Sequence, residues 1–171
     1  MLYQNFALAG NINIYQNIYL GRELTKNYLG GIFKILNKKE MATRSVELIS
    51  RLKIDVHQVN KRVKELSGGQ QQSVAIARVI AFNARLIVMD EPTANLGIKE
   101  VGRLLDLIRR LKGEGMSIIF ISHRMDDIFS VGDRVIVLKR GKRVGMRYIK
   151  DTTPKEVVGL IVSGESEEGE A

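Results

Sequence analysis

The chain has 171 residues, 44% of them hydrophobic and 27% charged, with a net charge of +8 and no cysteine. That length supports one domain with a buried core, and the lack of cysteine excludes a disulfide framework and thiolate metal sites. Two well-separated histidines exclude a histidine-rich metal site, and no basic flank with an apolar run marks a signal peptide at the N-terminus. The run Met116–Ile121 is far too short to cross a bilayer. Positive charge gathers at Lys34-Lys38-Lys39, Lys61-Arg62-Lys64 and Lys139-Arg140-Lys142-Arg143, whereas Glu165–Glu170 is acidic. Such a basic balance suits phosphates or an anionic surface; without aromatic stacking residues among the charges, no nucleic-acid partner is expected.

In chain order, Met1-Leu2-Tyr3 reads as the end of a strand, and Gly10-Asn11 with Asn13 as a turn. Ile14, Ile18 and Leu20–Leu24 suit a short amphipathic helix. Residues 24–65 read as mostly helical, broken at Leu29-Gly30-Gly31. Met41, Val46, Leu48-Ile49 and Leu52 fall at helical spacing within Glu40–Lys53, and Asp55–Glu65 reads as a polar connector. Leu66-Ser67-Gly68-Gly69-Gln70 follows, feeding a helix that closes at Phe82-Asn83. Ser67 is a strong N-cap type, and the glycines let the backbone approach what lies in front of them. Unpaired N–H groups and the positive end of the helix dipole then converge on an anion site, of which phosphate is the usual occupant.

Leu86–Met89 is a continuous apolar run ended by Asp90-Glu91-Pro92, as expected of a buried parallel strand. Paired acids there lie where ligands bind in open α/β sheets. Burying charge is costly, so metal or general-base chemistry explains them better than structure does. Lys99–Lys112 is the clearest helix, with Val101, Leu104-Leu105, Ile108 and Leu111 as its core stripe, stopped by Gly113-Glu114-Gly115. Met116–Ser122 is a second buried strand, and His123 follows it at the same expected edge as Asp90 and Glu91. Met125–Val131 is a short helix; Asp133–Lys139 and Arg143–Ile149 form a hairpin around Arg140-Gly141-Lys142. Thr153-Pro154-Lys155-Glu156 is a capping box opening a last helix through Val162, and the tail from Ser163 is expected to fray.

Gln4, the Leu66–Gln70 turn, Asp90-Glu91 and His123, in that order, resemble the motif series of ATP-binding-cassette (ABC) ATPases. The resemblance implies an α/β fold: an incomplete P-loop ATPase core with a mainly helical subdomain, parallel strands and a C-terminal β-hairpin. Residues 1–13 would be the glutamine loop and its lead-in, 14–83 the helical subdomain and signature helix, 84–163 the C-terminal part of the core, and 164–171 an acidic tail. It further implies roles for single residues. Gln4 and Asp90 would hold Mg²⁺, Glu91 would polarise the attacking water, and His123 would contact the γ-phosphate. Ser67, Gly68, Gly69 and Gln70 would meet ATP held by a second cassette. Gly97 stands where most of the family carries an aspartate, which removes one carboxylate from the dimer interface. Together with Lys99-Glu100 and Gln70-Gln71-Gln72, it is similar to importers of ribose-type monosaccharides.

The resemblance implies transmembrane permease subunits and a second ATP-binding domain as partners, a sugar-binding protein acting indirectly, and a peripheral place on the cytoplasmic face of a membrane. No Gly-x-x-x-x-Gly-Lys-Ser/Thr loop occurs in the sequence. The strands and loop that cradle the phosphates are therefore expected before Met1, and the apolar edges beside Leu86–Met89 are expected to be exposed. Two functions stay open: the ATP-hydrolysing component of an importer, or a non-hydrolysing module that offers the Ser67–Gln70 turn in trans. An ABC protein of the ribosome or of DNA repair is a weaker third.

Overall fold

The computed structural model describes residues 8–82 and 84–164; the expected strand at Met1–Tyr3, Gln4, Asn83 and the tail beyond Gly164 lie outside them. The chain divides into two compact units, Met1–Ile121 and Ser122–Ala171.

The first unit begins with helix α1 (Ile14–Tyr19), whose faces are buried almost all round: Ile14 and Ile18 are fully enclosed. Asn17, equally buried, is affordable because its side chain is fully bonded. Its amide donates to the Ala9, Asn13 and Ile12 carbonyls, and its Oδ1 accepts from the Ala9 N–H at 2.8 Å. The polar connector is laced to the head of α1, with Ile14 N–H on the Lys61 carbonyl and Tyr15 N–H on that of Val59.

Next come strands β1 (Thr25–Tyr28) and β2 (Phe33–Leu36), an antiparallel hairpin. This corrects the helical expectation for the segment. The turn requires Gly30 at φ 70°, a left-handed conformation that glycine adopts without a Cβ clash. Every residue of both strands is exposed, so no alternation of burial marks them. Helix α2 (Lys38–Arg51) is capped by Asn37, which accepts the Glu40 N–H, and buries Met41, Ser45 and Ile49.

Helix α3 (Gly68–Ile80) carries the expected motif at its head and buries Val74, Ala75, Ile76, Ala77 and Ile80 in the core against α1. Its far end is fixed by Phe82, whose ring meets Tyr19 edge-on at 6.0 Å and lies under the Arg22 guanidinium at 4.7 Å. Strands β3 (Leu86–Asp90) and β4 (Ser117–Ile121) pair in parallel, with Asp90 opposite Ile121. The crossover helix α4 (Ile98–Gly113) buries Val101, Leu104, Leu105, Leu107, Ile108 and Leu111. Five of these lie at the spacing expected; Leu107 widens the stripe. The strands are not buried on both faces as the continuous apolar runs predict. Ile87 and Met89 are fully enclosed, but Leu86, Ile119 and Ile121 are 50%, 49% and 44% exposed. The exposure expected beside Leu86–Met89 is therefore present.

The second unit holds helix α5 (Met125–Val131), strands β5 (Arg134–Lys139) and β6 (Lys142–Tyr148) as an antiparallel hairpin, and helix α6 (Pro154–Ser163). Arg140 and Gly141, at φ 50° and 77°, form a two-residue turn whose twist matches the strands. Val135, Val137, Val144 and Val157 make the small core, with Phe129 and Leu160 packed on it. Ser163, expected in the frayed tail, completes α6, and Gly164 ends it at φ 63°.

Candidate functional site

Ser67 sits at the N-cap of α3 in extended conformation, the geometry that aims its hydroxyl at the open N–H groups of the first turn. Its Oγ accepts the Gln70 N–H at 3.3 Å, while Gln70 Oε1 accepts the Ser67 N–H at 3.1 Å. This reciprocal capping box uses one end of the Gln70 side chain; the other donates to the Asp55 carbonyl at 2.7 Å. Gln70 thus braces the turn from within. The Ser73 hydroxyl, one turn on, donates to the Gly69 carbonyl at 2.9 Å.

The turn packs against the segment that joins β3 to α4. A Cβ on Gly68 would touch Leu96 at 3.7 Å, and one on Gly69 would press on Glu100 at 3.0 Å. Gly69 is therefore required for close approach rather than for an unusual φ. Glu100 is the residue that sequence reasoning missed as part of the site. Its side chain lies against Gly69, and the nearby Ser67 hydroxyl, with the Gly97 and Gly69 N–H groups, holds its carboxyl below the usual glutamate range. The Gly97 contact is 3.2 Å. The local signal was legible as a helix-opening Gly-x-x-Glu pattern; the approach to Gly69 was not.

A cleft of about 280 Å³ opens beside the turn, lined by Ser67, Gly69, Gln70, Glu100, Arg103 and Arg110 among others. Two of its cations are engaged: Arg103 pairs with Asp55 at 2.7 Å, and Arg110 donates to the Leu52 carbonyl at 2.8 Å.

Asp90 and Glu91 stand at the C-terminal end of β3, both partly buried. Glu91 takes φ 46°, and its N–H is pinned to the Ile121 carbonyl at 2.9 Å. A non-glycine residue in that conformation is strained by about 1 to 2 kcal/mol, and strain of this kind concentrates at functional positions. Behind it, Pro92 and Thr93 are buried. Among the described residues no group of three or more His, Cys, Asp or Glu gathers as a metal cage. Mg²⁺ does not need one: it keeps several waters and takes one or two carboxylates together with phosphate oxygens. The donor type at Asp90 therefore fits that ion. His123 falls in the second unit, exposed, just ahead of α5, and Gln4 lies outside the described residues.

A parallel β3–α4–β4 crossover with acids at the strand end, and an N-capped glycine turn opening a helix, place the chain in the class of α/β domains with parallel strands. The ABC transporter family model matches residues 1–94, and the chain belongs to that family. It is 40% identical to the xylose/arabinose import ATP-binding protein of Sulfolobus acidocaldarius, over 95% of this chain and 62% of that one. It is 37% identical to the fructose import ATP-binding protein of Rhizobium meliloti, over 99% and 66%. The chain thus spans less than two thirds of the length of these relatives. Among solved structures, it resembles a dimeric ATP-binding cassette in a post-hydrolysis state bound to ADP and Pi, at a TM-score of 0.67 and 26% identity, covering 86% of this chain and 61% of that one. It also resembles cbiO1 of Clostridium perfringens, part of an ABC transporter complex, at a TM-score of 0.66 and 26% identity, covering 91% and 57%.

Proposed function

We propose that the chain belongs to the ATP-binding, ATP-hydrolysing component of an ABC importer for a monosaccharide, and that it contributes the signature turn and the strand-end acids. The observation that carries this is the turn itself: Ser67, Gly68 and Gly69 present a hydroxyl and backbone donors at the head of a long helix, braced by Gln70. Such a head stabilises anionic phosphate through unpaired N–H groups and the helix dipole. Sugar import is the function for which the relatives above are named, and the Gly97–Glu100 segment supports it from the sequence.

In this function Asp90 and Gln4 would hold Mg²⁺, Glu91 would polarise the attacking water, and His123 would contact the γ-phosphate. Magnesium, when bound, neutralises charge on the transferred phosphoryl group. A permease and a second ATP-binding domain are the partners, and the chain works at the inner face of the membrane. No helix among the described residues is long and apolar enough to cross a bilayer.

A second reading rests on the same turn: the chain would be a non-hydrolysing module that offers Ser67–Gln70 in trans to ATP held by another cassette. ATPase assays of the chain with Mg-ATP decide between the two. Turnover that disappears in Glu91→Gln supports hydrolysis by this chain. No ATP binding and no turnover, with activity gained on mixing with a complete cassette from a relative, supports the trans module.

A further inference from the structure

We propose that the β1–β2 hairpin is a lipid-contact element, whose tip and one face enter the interface of an anionic bilayer while the lysines around it meet lipid phosphates. The inference goes beyond the nucleotide site and does not rest on it. In an antiparallel pair, residues directly opposite each other share a face. Tyr28 opposite Phe33 and Lys26 opposite Ile35 therefore lie on one side, and Thr25 opposite Leu36 and Asn27 opposite Lys34 on the other. The first side presents two rings and an isoleucine, with Lys26 away from the tip. The loop that joins the strands adds Leu29 and Ile32, 62% and 78% exposed. Loop tips are ordinarily small and polar. Leu29 also holds φ 47°, a conformation that asparagine or glycine takes at less cost. A large aliphatic residue kept in water, in a strained turn, is there for its side chain. Every residue of both strands is exposed, and a lone two-stranded hairpin is marginal in water. The burial that these side chains lack is the kind that a bilayer interface supplies, where aromatic rings and aliphatic tips settle among the headgroups.

Charge selects the occupant. From Leu24 to Lys39 the chain carries Lys26, Lys34, Lys38 and Lys39 and no acid, and all four lysines are exposed. The acids at either end are engaged, Glu23 with the Gly21 N–H at 3.1 Å and Glu40 with Arg44 at 2.7 Å. Two copies of the chain meeting through this face would set lysines against lysines. An anionic leaflet does the opposite, because its surface potential draws each lysine in. The aliphatic stem of a lysine lies along apolar surface while its ammonium group stays at the level of the phosphates. Apolar anchors and basic charge reinforce each other, since either alone gives weak, reversible attachment.

The test mixes the full chain, without nucleotide, with vesicles of phosphatidylglycerol and phosphatidylcholine in equal parts, or of phosphatidylcholine alone, and measures binding by flotation. The chain has no tryptophan. Phe33→Trp therefore installs a single reporter in the patch, and Ile119→Trp one on the other exposed apolar surface. Phe33→Trp is expected to float with the anionic vesicles only, to shift its emission to the blue, and to be quenched by brominated acyl chains. The emission of Ile119→Trp is expected to stay unquenched. Leu29→Asn with Ile32→Ser changes only exposed loop positions and gives the φ 47° site a residue that tolerates it, so the fold is kept, as thermal unfolding verifies. That pair is expected to weaken binding about tenfold, the scale of losing two partly buried aliphatic side chains. Lys26→Gln with Lys34→Gln is expected to weaken it about tenfold as well. Lys142→Gln with Arg143→Gln, which removes the same charge from the second unit, is expected to do far less. Quenching at Ile119→Trp instead of Phe33→Trp, binding indifferent to the loop pair, equal loss from the two charge pairs, or equal flotation with neutral vesicles overturns the inference. So does a hairpin blind to both lipids, which would leave this face to a protein such as a permease loop.

Discussion

Glu91 holds φ 46° immediately after strand β3, with its N–H tied to the end of β4. Its side chain, not its backbone, is what the position is kept for, since glycine would adopt the same turn without strain. Glu91→Gly and Glu91→Ala both delete the carboxylate, but only alanine retains the strain. Left-handed backbone costs a non-glycine residue about 1 to 2 kcal/mol, and the extra flexibility of glycine in the unfolded chain offsets part of that gain. Glu91→Gly is therefore expected to be the more stable of the two by about 0.5 to 1 kcal/mol, read from urea denaturation. Equal stability would mean that the turn relaxes in solution. At this scale the sequence was informative wherever the chemistry was local. Ser67 caps its helix with the partner that its spacing to Gln70 predicts. Glu100 escaped notice because its neighbours at the head of α3, Gly69 above all, come from a distant part of the chain and only the fold joins them.

Helix α6 shows how much a short motif decides at the scale of an element. Thr153 accepts the Glu156 N–H at 3.3 Å, Glu156 accepts the Thr153 N–H at 3.0 Å, and Pro154 fixes the first helical residue. Thr153→Ala is expected to destabilise the unit by about 1 kcal/mol in thermal or denaturant unfolding. The Thr152 hydroxyl, at 2.7 Å, and the Thr153 N–H hold the Glu156 carboxyl below its usual range. Its contribution to stability is therefore complete above pH 4.5, the unfolded value, and is lost as pH falls through the lower folded value. Glu156→Gln should flatten that acid limb and leave the neutral region less stable; an unchanged acid limb would show that the box is open in solution. The N-terminal capping box of this helix and the Arg140-Gly141 turn were legible because each is written within four residues; the C-terminal end at Gly164 was not, since the chain was expected to fray from Ser163. The β1–β2 hairpin was not. Leu24, Tyr28, Ile32 and Leu36 recur every fourth residue and imitate a helix. With both strands wholly exposed, no period-two pattern competes with that signal.

For the molecule as a whole, what matters is which apolar surface remains uncovered. The β3–β4 pair is a parallel sheet of only two strands among the described residues, whereas parallel sheets are ordinarily covered on both faces. One side is sealed by the core through Ile87 and Met89; on the other, Leu86, Ile119 and Ile121 stand roughly half exposed. The continuous apolar runs in the sequence are thus written for deeper burial than these residues reach. An apolar strand with open edges favours association through backbone pairing and surface burial. The chain is accordingly expected to show concentration-dependent association in sedimentation velocity and to enhance the fluorescence of a hydrophobic dye. Ile119→Lys places a charge on the exposed side of β4 while leaving Ile87 and Met89 in place. It should lower both signals and cost little stability, because half of the isoleucine is already in water. Unchanged association in Ile119→Lys would place the contact elsewhere, with the exposed hairpin residues Tyr28, Ile32 and Phe33 the next surface to alter.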